Sequence, residues 1–147
     1  MTFLRAALLA LLLAACSPPA PAPESPAAAL PVVAADAATQ TRLQAAIAQK
    51  LGADLGAPVA LEVETMQTQG DWAWAVVTPR APTGAPFDFS KTKYKDAELD
   101  GGGRTYLLLT RSGETWSVRD FAVGPTDVAW IEWPRKHNAP PQVMGLE

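Results

Sequence analysis

The chain has 147 residues, a net charge of −3, one cysteine and one histidine. A single cysteine excludes an intramolecular disulfide and a thiolate metal cluster, and mild acidity with scattered lysines speaks against nucleic-acid binding. The roughly 110 residues that follow a proline-rich start suffice for one domain with a modest core, not for two.

The first element is a signal. Arg5 is its only charge, and an unbroken apolar run follows from Ala6 through Ala15. That run is too short to span a bilayer as a helix, which takes about 20 residues. A charged start, a short apolar stretch and small residues before a cut site make an export signal instead. Leu13-Ala14-Ala15-Cys16 ends the run on the one cysteine, and this arrangement resembles the lipobox of bacterial lipoproteins. The resemblance implies a diacylglycerol on the Cys16 thiol and cleavage just before it. Residues 1–15 are then a signal peptide, and Cys16 becomes the N-terminus and the membrane partner. Loss of Arg5 takes the net charge from −3 to −4. An ordinary signal peptide cut near Ala15 is the alternative, with Cys16 a free thiol. In that family aspartate after the cysteine retains the protein at the inner membrane. Ser17 therefore implies the outer membrane, facing the periplasm.

Residues 16–35 make a tether, rich in alanine and carrying Pro18, Pro19, Pro21, Pro23, Pro26 and Pro31. Proline lacks an amide donor and disfavours helix in its predecessor, so this stretch is expected to be extended and solvated. At about 3.1 Å per residue it holds the domain up to roughly 60 Å from the membrane. Ala27 to Ala38 is also compatible with the start of a helix, so the boundary is soft.

Residues 36–147 form one domain. Leu43, Ile47 and Leu51 recur at four-residue spacing and predict a helix, capped by Thr39 or Thr41 and ended at Gly52. Four strands are expected next. Val59, Leu61 and Val63 alternate with polar or small residues, and Gly70-Asp71 is a turn. Trp72, Trp74 and Val76 then share one face, with Ala73, Ala75 and Val77 on the other. Tyr106 through Thr110 is apolar on both faces, as a central strand is. Ser112-Gly113-Glu114 loops back to Thr115–Val123. Trp116 and Val118 have one parity there and Phe121 and Val123 the other. A bulge near Arg119 or Asp120 brings all four to a common face.

A long connection, Pro79 to Gly103, joins the second and third of these strands; such length marks function or a hidden element. Lys95 to Leu99 reads as a helical turn. After the last strand, Gly124 to Asp127 turns into a short helix that carries Trp130 and Trp133 and ends at Pro134. Pro140-Pro141 opens an extended tail whose Val143, Met144 and Leu146 pack back on the body.

The expected fold class is thus α+β: an N-terminal helix on a four-stranded antiparallel sheet, with a short C-terminal helix. This order resembles, in topology alone, the cystatin-like and nuclear-transport-factor-like domains, which include enzymes, inhibitors and binding modules. The segment from Trp72 through Val143 also resembles a type of small exported bacterial protein of uncharacterised activity. It shares Gly70-Asp71-Trp72-Ala73, Pro86-Phe87-Asp88-Phe89 with Tyr94, and Gly124-Pro125-Thr126-Asp127-Val128 before Trp130 and Trp133. No activity follows from it.

Chemically the sequence is sparse. His137, beside Arg135 and Lys136, reads as a solvated surface histidine, because no serine motif or second cysteine pairs with it. Asp96, Glu98 and Asp100 lack the spacing of a calcium loop and read as a solvated acidic loop. Asp100-Gly101-Gly102-Gly103 precedes a strand and opens no helix, so it reads as a flexible connection rather than a phosphate cradle. No metal site, catalytic residue or cofactor is expected.

Lys91, Lys93 and Lys95 alternate along what reads as an extended segment, placing three cations on one side. They suit anionic lipid or lipopolysaccharide phosphates, or they form a solvated edge that discourages strand pairing. Trp130 and Trp133, with these lysines, form the candidate interaction surface. Trp72, Trp74, Tyr106, Asp120 and Asp127 form the candidate pocket. The leading expectation is a non-enzymatic lipoprotein that binds an envelope protein or component. An enzyme or small-ligand carrier with a tryptophan-lined, cone-shaped pocket, and a purely structural envelope component, are the alternatives.

Overall fold

The computed structural model describes residues 29–147. The signal and Cys16 therefore lie outside the described residues, as does most of the tether. The described elements are β1 (Val33–Ala34), α1 (Ala37–Leu55), β2 (Ala60–Gln69), β3 (Trp72–Arg80), β4 (Thr105–Ser112), β5 (Thr115–Val123) and α2 (Trp133–His137). Short 3₁₀ turns lie at Phe89–Lys91, Asp100–Gly102 and Pro141–Met144. No helix among the described residues is long and apolar enough to cross a membrane.

The fold class is α+β, and the sheet has five strands rather than four. They run antiparallel in the order β1-β2-β3-β4-β5, each beside its neighbour in the chain. The added strand is β1, where Val33 and Ala34 pair with Thr68 and Gln67. It falls in the stretch assigned to the tether, and Ala35 is already buried.

α1 places Leu43, Ile47, Leu51 and Leu55 in the core, one residue per turn on one side. Its N-cap is Asp36, not a threonine: the Asp36 carboxylate accepts from the Thr39 amide at 2.8 Å. That bond also holds the carboxyl below its ordinary value. The helix passes through Gly52 and ends at Gly56, whose φ of 75° is left-handed and whose amide donates to the Gly52 carbonyl. Burial of Leu55 on the same stripe outweighs the helix penalty of about 1 kcal/mol for Gly52.

Two bulges set which side chains face α1. In β5 the register moves from Leu108↔Asp120 to Leu109↔Val118, which leaves Arg119 as the extra residue. Trp116, Val118, Phe121 and Val123 consequently all pack on the α1 side, as their parity predicts. A second bulge, at Glu64 between Val63 and Thr65, exchanges the faces of β2. Met66 becomes the buried residue, whereas Val63 is 37% exposed.

Both faces of the sheet are covered. On one, α1 and the long connection bury Ala73, Ala75, Val77, Leu107 and Leu109. On the other, the C-terminal segment buries Trp74, Val76 and Leu108 beneath Trp133, Ala139, Val143 and Met144. That segment departs from expectation in two ways. Pro134 lies in the first turn of α2 rather than ending a helix, because the first turn needs no amide donor there. After Pro140 the chain coils into a 3₁₀ turn instead of extending, although Val143 and Met144 are buried as expected.

The long connection is a packed element. β3 continues to Arg80, and Phe87, Phe89, Tyr94 and Leu99 lie against the α1-side core. Lys95 to Leu99 makes hydrogen-bonded turns, Lys95 N to Thr92 O and Ala97 N to Tyr94 O, rather than a helix. Gly103 has a φ of 87°, and a Cβ there would lie 2.3 Å from Phe89 Cζ. Gly103 thus lets the Phe89 ring approach the backbone, and Asp100 to Gly103 forms a hydrogen-bonded 3₁₀ turn rather than the expected loose connection.

Candidate functional site

The aromatic residues gather on the face opposite α1. Trp72 and Trp74 of β3 and Tyr106 of β4 are presented by strand parity, and Trp130 and Trp133 close over them. Trp130 stacks on Tyr106 at 4.0 Å and 23°, and Trp133 meets Trp74 edge-on at 6.1 Å. The Arg104 guanidinium lies 5.4 Å from the Tyr106 ring and pairs with Glu64. Trp133 is only 6% exposed and Trp130 is half-buried. The two tryptophans of the candidate interaction surface therefore form a lid on the second core. Each ring finds more contact area against the sheet than in solvent.

The five residues of the candidate pocket do not converge on a cavity. Of the four principal concavities among the described residues, Trp72 borders one and Trp74, Tyr106, Asp120 and Asp127 border none. Packed rings fill the space a cone-shaped pocket would have used. Asp127 is exposed in the turn before Trp130.

Asp120 fastens this lid. The β5 bulge turns its side chain to the aromatic face, where Oδ2 accepts from Lys136 Nζ at 2.7 Å. His137 Nε2 lies 2.8 Å from the same oxygen, and Oδ1 accepts the Phe121 amide at 3.0 Å. Burial pushes the Asp120 carboxyl up, but the bonds from His137 and Lys136 outweigh it and hold the group below its ordinary value. His137 is not a solvated surface residue: its side chain is 12% exposed. The one hydrogen bond its side chain makes among the described residues runs to Asp120. The pair thus anchors α2 to β5, and among the described residues no hydroxyl is hydrogen-bonded to it to serve as a nucleophile.

The lysines do not lie on an extended segment. Lys91 ends a 3₁₀ turn, and the chain coils on through Lys93 and Lys95. Lys93 Nζ reaches Asp54 Oδ1 at 2.6 Å, and Tyr94 Oη donates to Asp54 Oδ2 at 2.8 Å. Burial raises the Tyr94 hydroxyl above its ordinary value, and the Asp54 carboxylate raises it further. Asp54 thereby ties the long connection to the last turns of α1. Nothing in the sequence marks that tie, since Asp54 looks like one more solvated helix residue.

Two concavities flank α1. One, of about 350 Å³, lies between the end of α1 and the loop from Ala81 to Thr92, with Asp88 and Lys91 among its lining. The other, of about 360 Å³, is a groove between α1 and β5, walled by Ala46, Lys50 and Ala53 and floored by Trp116 and Val118. At the opposite edge Gln69 Nε2 donates to the Leu30 carbonyl at 2.7 Å and pins the incoming chain beside the β2–β3 turn. No group of three histidine, cysteine, aspartate or glutamate side chains that would hold a metal ion occurs among the described residues. No family model matches the chain, and neither does any curated protein or solved structure.

Proposed function

We propose that the chain is a lipid-anchored protein of the bacterial envelope. Cys16 holds it to the outer membrane on the periplasmic side, and its domain binds an envelope protein or component rather than catalysing a reaction. The observation that carries this reading is Leu13-Ala14-Ala15-Cys16 behind an uninterrupted apolar run. Two or more acyl chains on one residue give stable anchoring, at roughly 0.8 kcal/mol for each buried methylene.

The arrangement of the domain supports the binding half. Its only histidine and the nearest carboxylate are engaged in fastening α2 to the sheet. Its aromatic cluster is packed shut, and the concavities among the described residues are surface grooves beside α1, on the C-terminal segment and at the β2–β3 turn. These are features of a surface that meets a partner rather than of a site that isolates a reaction from water.

Metabolic labelling with a radioactive fatty acid tests the anchor. Wild type takes up label and fractionates with membrane, whereas Cys16→Ser is unlabelled and soluble. Label retained by Cys16→Ser refutes the anchor.

A further inference from the structure

β5 is an edge strand. It has β4 on one side and, among the described residues, no strand on the other. Among the described residues, backbone groups from Thr115 to Arg119 bond to nothing beyond β4, whereas the Phe121 amide is taken by Asp120. An open edge of this kind offers a ladder of donors and acceptors to an incoming strand.

The groove of about 360 Å³ runs beside this same stretch. α1 forms its wall with the small side chains of Ala46 and Ala53, and Trp116 and Val118 form an apolar floor. A strand edge beside a helix wall is the geometry of strand addition, in which main-chain bonds supply affinity and alternate side chains enter the groove.

One cation in the groove and one beside it bear on the occupant. Lys50 lines it, with its ammonium 5.5 Å from the Phe121 ring, and Arg119 is exposed next to Val118. Neither makes an ion pair among the described residues. This basic margin is local, because the chain as a whole carries −3. Two copies paired through β5 would set these cations against one another, which disfavours self-association. We infer that the groove between α1 and the β5 edge takes an extended acidic segment of a partner protein as a sixth strand. The inference deepens the reading of the domain as an interaction module.

Calorimetric titration of the full chain in detergent tests it, with a short blocked peptide alternating valine and glutamate as probe. The controls are its valine–lysine counterpart and the glutamate peptide N-methylated at alternate residues. Saturable binding of the glutamate peptide is expected, with roughly tenfold weaker binding of both controls. Amides within Thr115–Arg119 become protected from hydrogen exchange. The double variant Lys50→Glu/Arg119→Glu loses the glutamate peptide and gains the lysine peptide. Both side chains are exposed, so the variant keeps the fold, and circular dichroism checks this. Absence of saturable binding of the glutamate peptide overturns the proposal, as does binding indifferent to N-methylation. Protection of β5 by self-association without peptide, seen in sedimentation, also overturns it. Cys16→Ser removes the anchor and leaves this titration unchanged, so the anchor and the groove fail separately.

Discussion

Replacing Gly103 by alanine should destabilise the domain far more than a surface substitution of one methyl. Two costs add. The φ of 87° at this position lies in the left-handed region, where a side chain costs about 1–2 kcal/mol. The new Cβ would lie 2.3 Å from Phe89 Cζ and 2.7 Å from Cε2, so the ring must move out of the α1-side core. Overpacking of that sort costs roughly 1–3 kcal/mol. The expected total is about 3 kcal/mol, read as a fall of about 1–2 M in the urea midpoint. Phe89→Ala separates the two contributions. In that background the ring clash is gone, and Gly103→Ala should cost only its backbone part, about 1–2 kcal/mol. Equal losses in the two backgrounds would refute the packing role assigned to this glycine. So would a loss below about 0.5 kcal/mol in wild type.

Three further outcomes follow from the site. Asp120 has a folded-state pKa below its ordinary value, so its contribution is present above that value and lost as pH falls through the lowered one. Acid titration of stability should therefore show a steeper loss below about pH 4 in wild type than in Asp120→Asn, and equal slopes count against the clamp. Asp54→Asn should move the Tyr94 hydroxyl down toward its ordinary value, because a carboxylate that disfavours the phenolate is removed. Ultraviolet titration of the tyrosines reads this, and an unchanged or upward titration counts against the tie. Trp133→Ala should cost about 3–5 kcal/mol, because the ring is buried on Trp74, whereas half-buried Trp130→Ala should cost less. Equal thermal denaturation midpoints for the two variants would contradict the packing described.

Sequence periodicity located the helix and the four longer strands, and the legibility of detail tracks how many apolar side chains record it. The β5 bulge was readable because apolar residues stand on both sides of it, Trp116 and Val118 before and Phe121 and Val123 after. The β2 bulge left no such trace. Past Glu64 only Met66 is apolar and inward, so a change of parity has nothing to register against. β1 is two residues in a proline- and alanine-rich stretch, and only its long-range pairing to β2 makes it a strand.

The aromatic residues were conspicuous in sequence, but their state was not. Whether Trp130 and Trp133 face water depends on the path of the chain from Gly124 to Glu132, which obeys no period. His137 looked solvated because its partner, Asp120, stands on another element. The α1–β5 groove was invisible for a related reason: it is a space between side chains 60 and more residues apart, the small Ala46 and Ala53 against Trp116 and Val118.

The meander has a consequence for how the molecule is made. Each strand pairs with the one before it, and two-residue turns at 70–71 and 113–114 close two of the hairpins. Sequence-local pairing of this kind nucleates quickly, so a nascent chain can assemble the sheet as it emerges. The tryptophan face is different, because its cover follows all five strands in the chain. Until Trp130 to Leu146 are in place, Trp74, Val76 and Leu108 form a bare apolar sheet surface of the kind that recruits chaperones or aggregates. A chain stopped before Trp130 would keep the residues of its helix-side core and leave Trp74, Val76 and Leu108 without their cover.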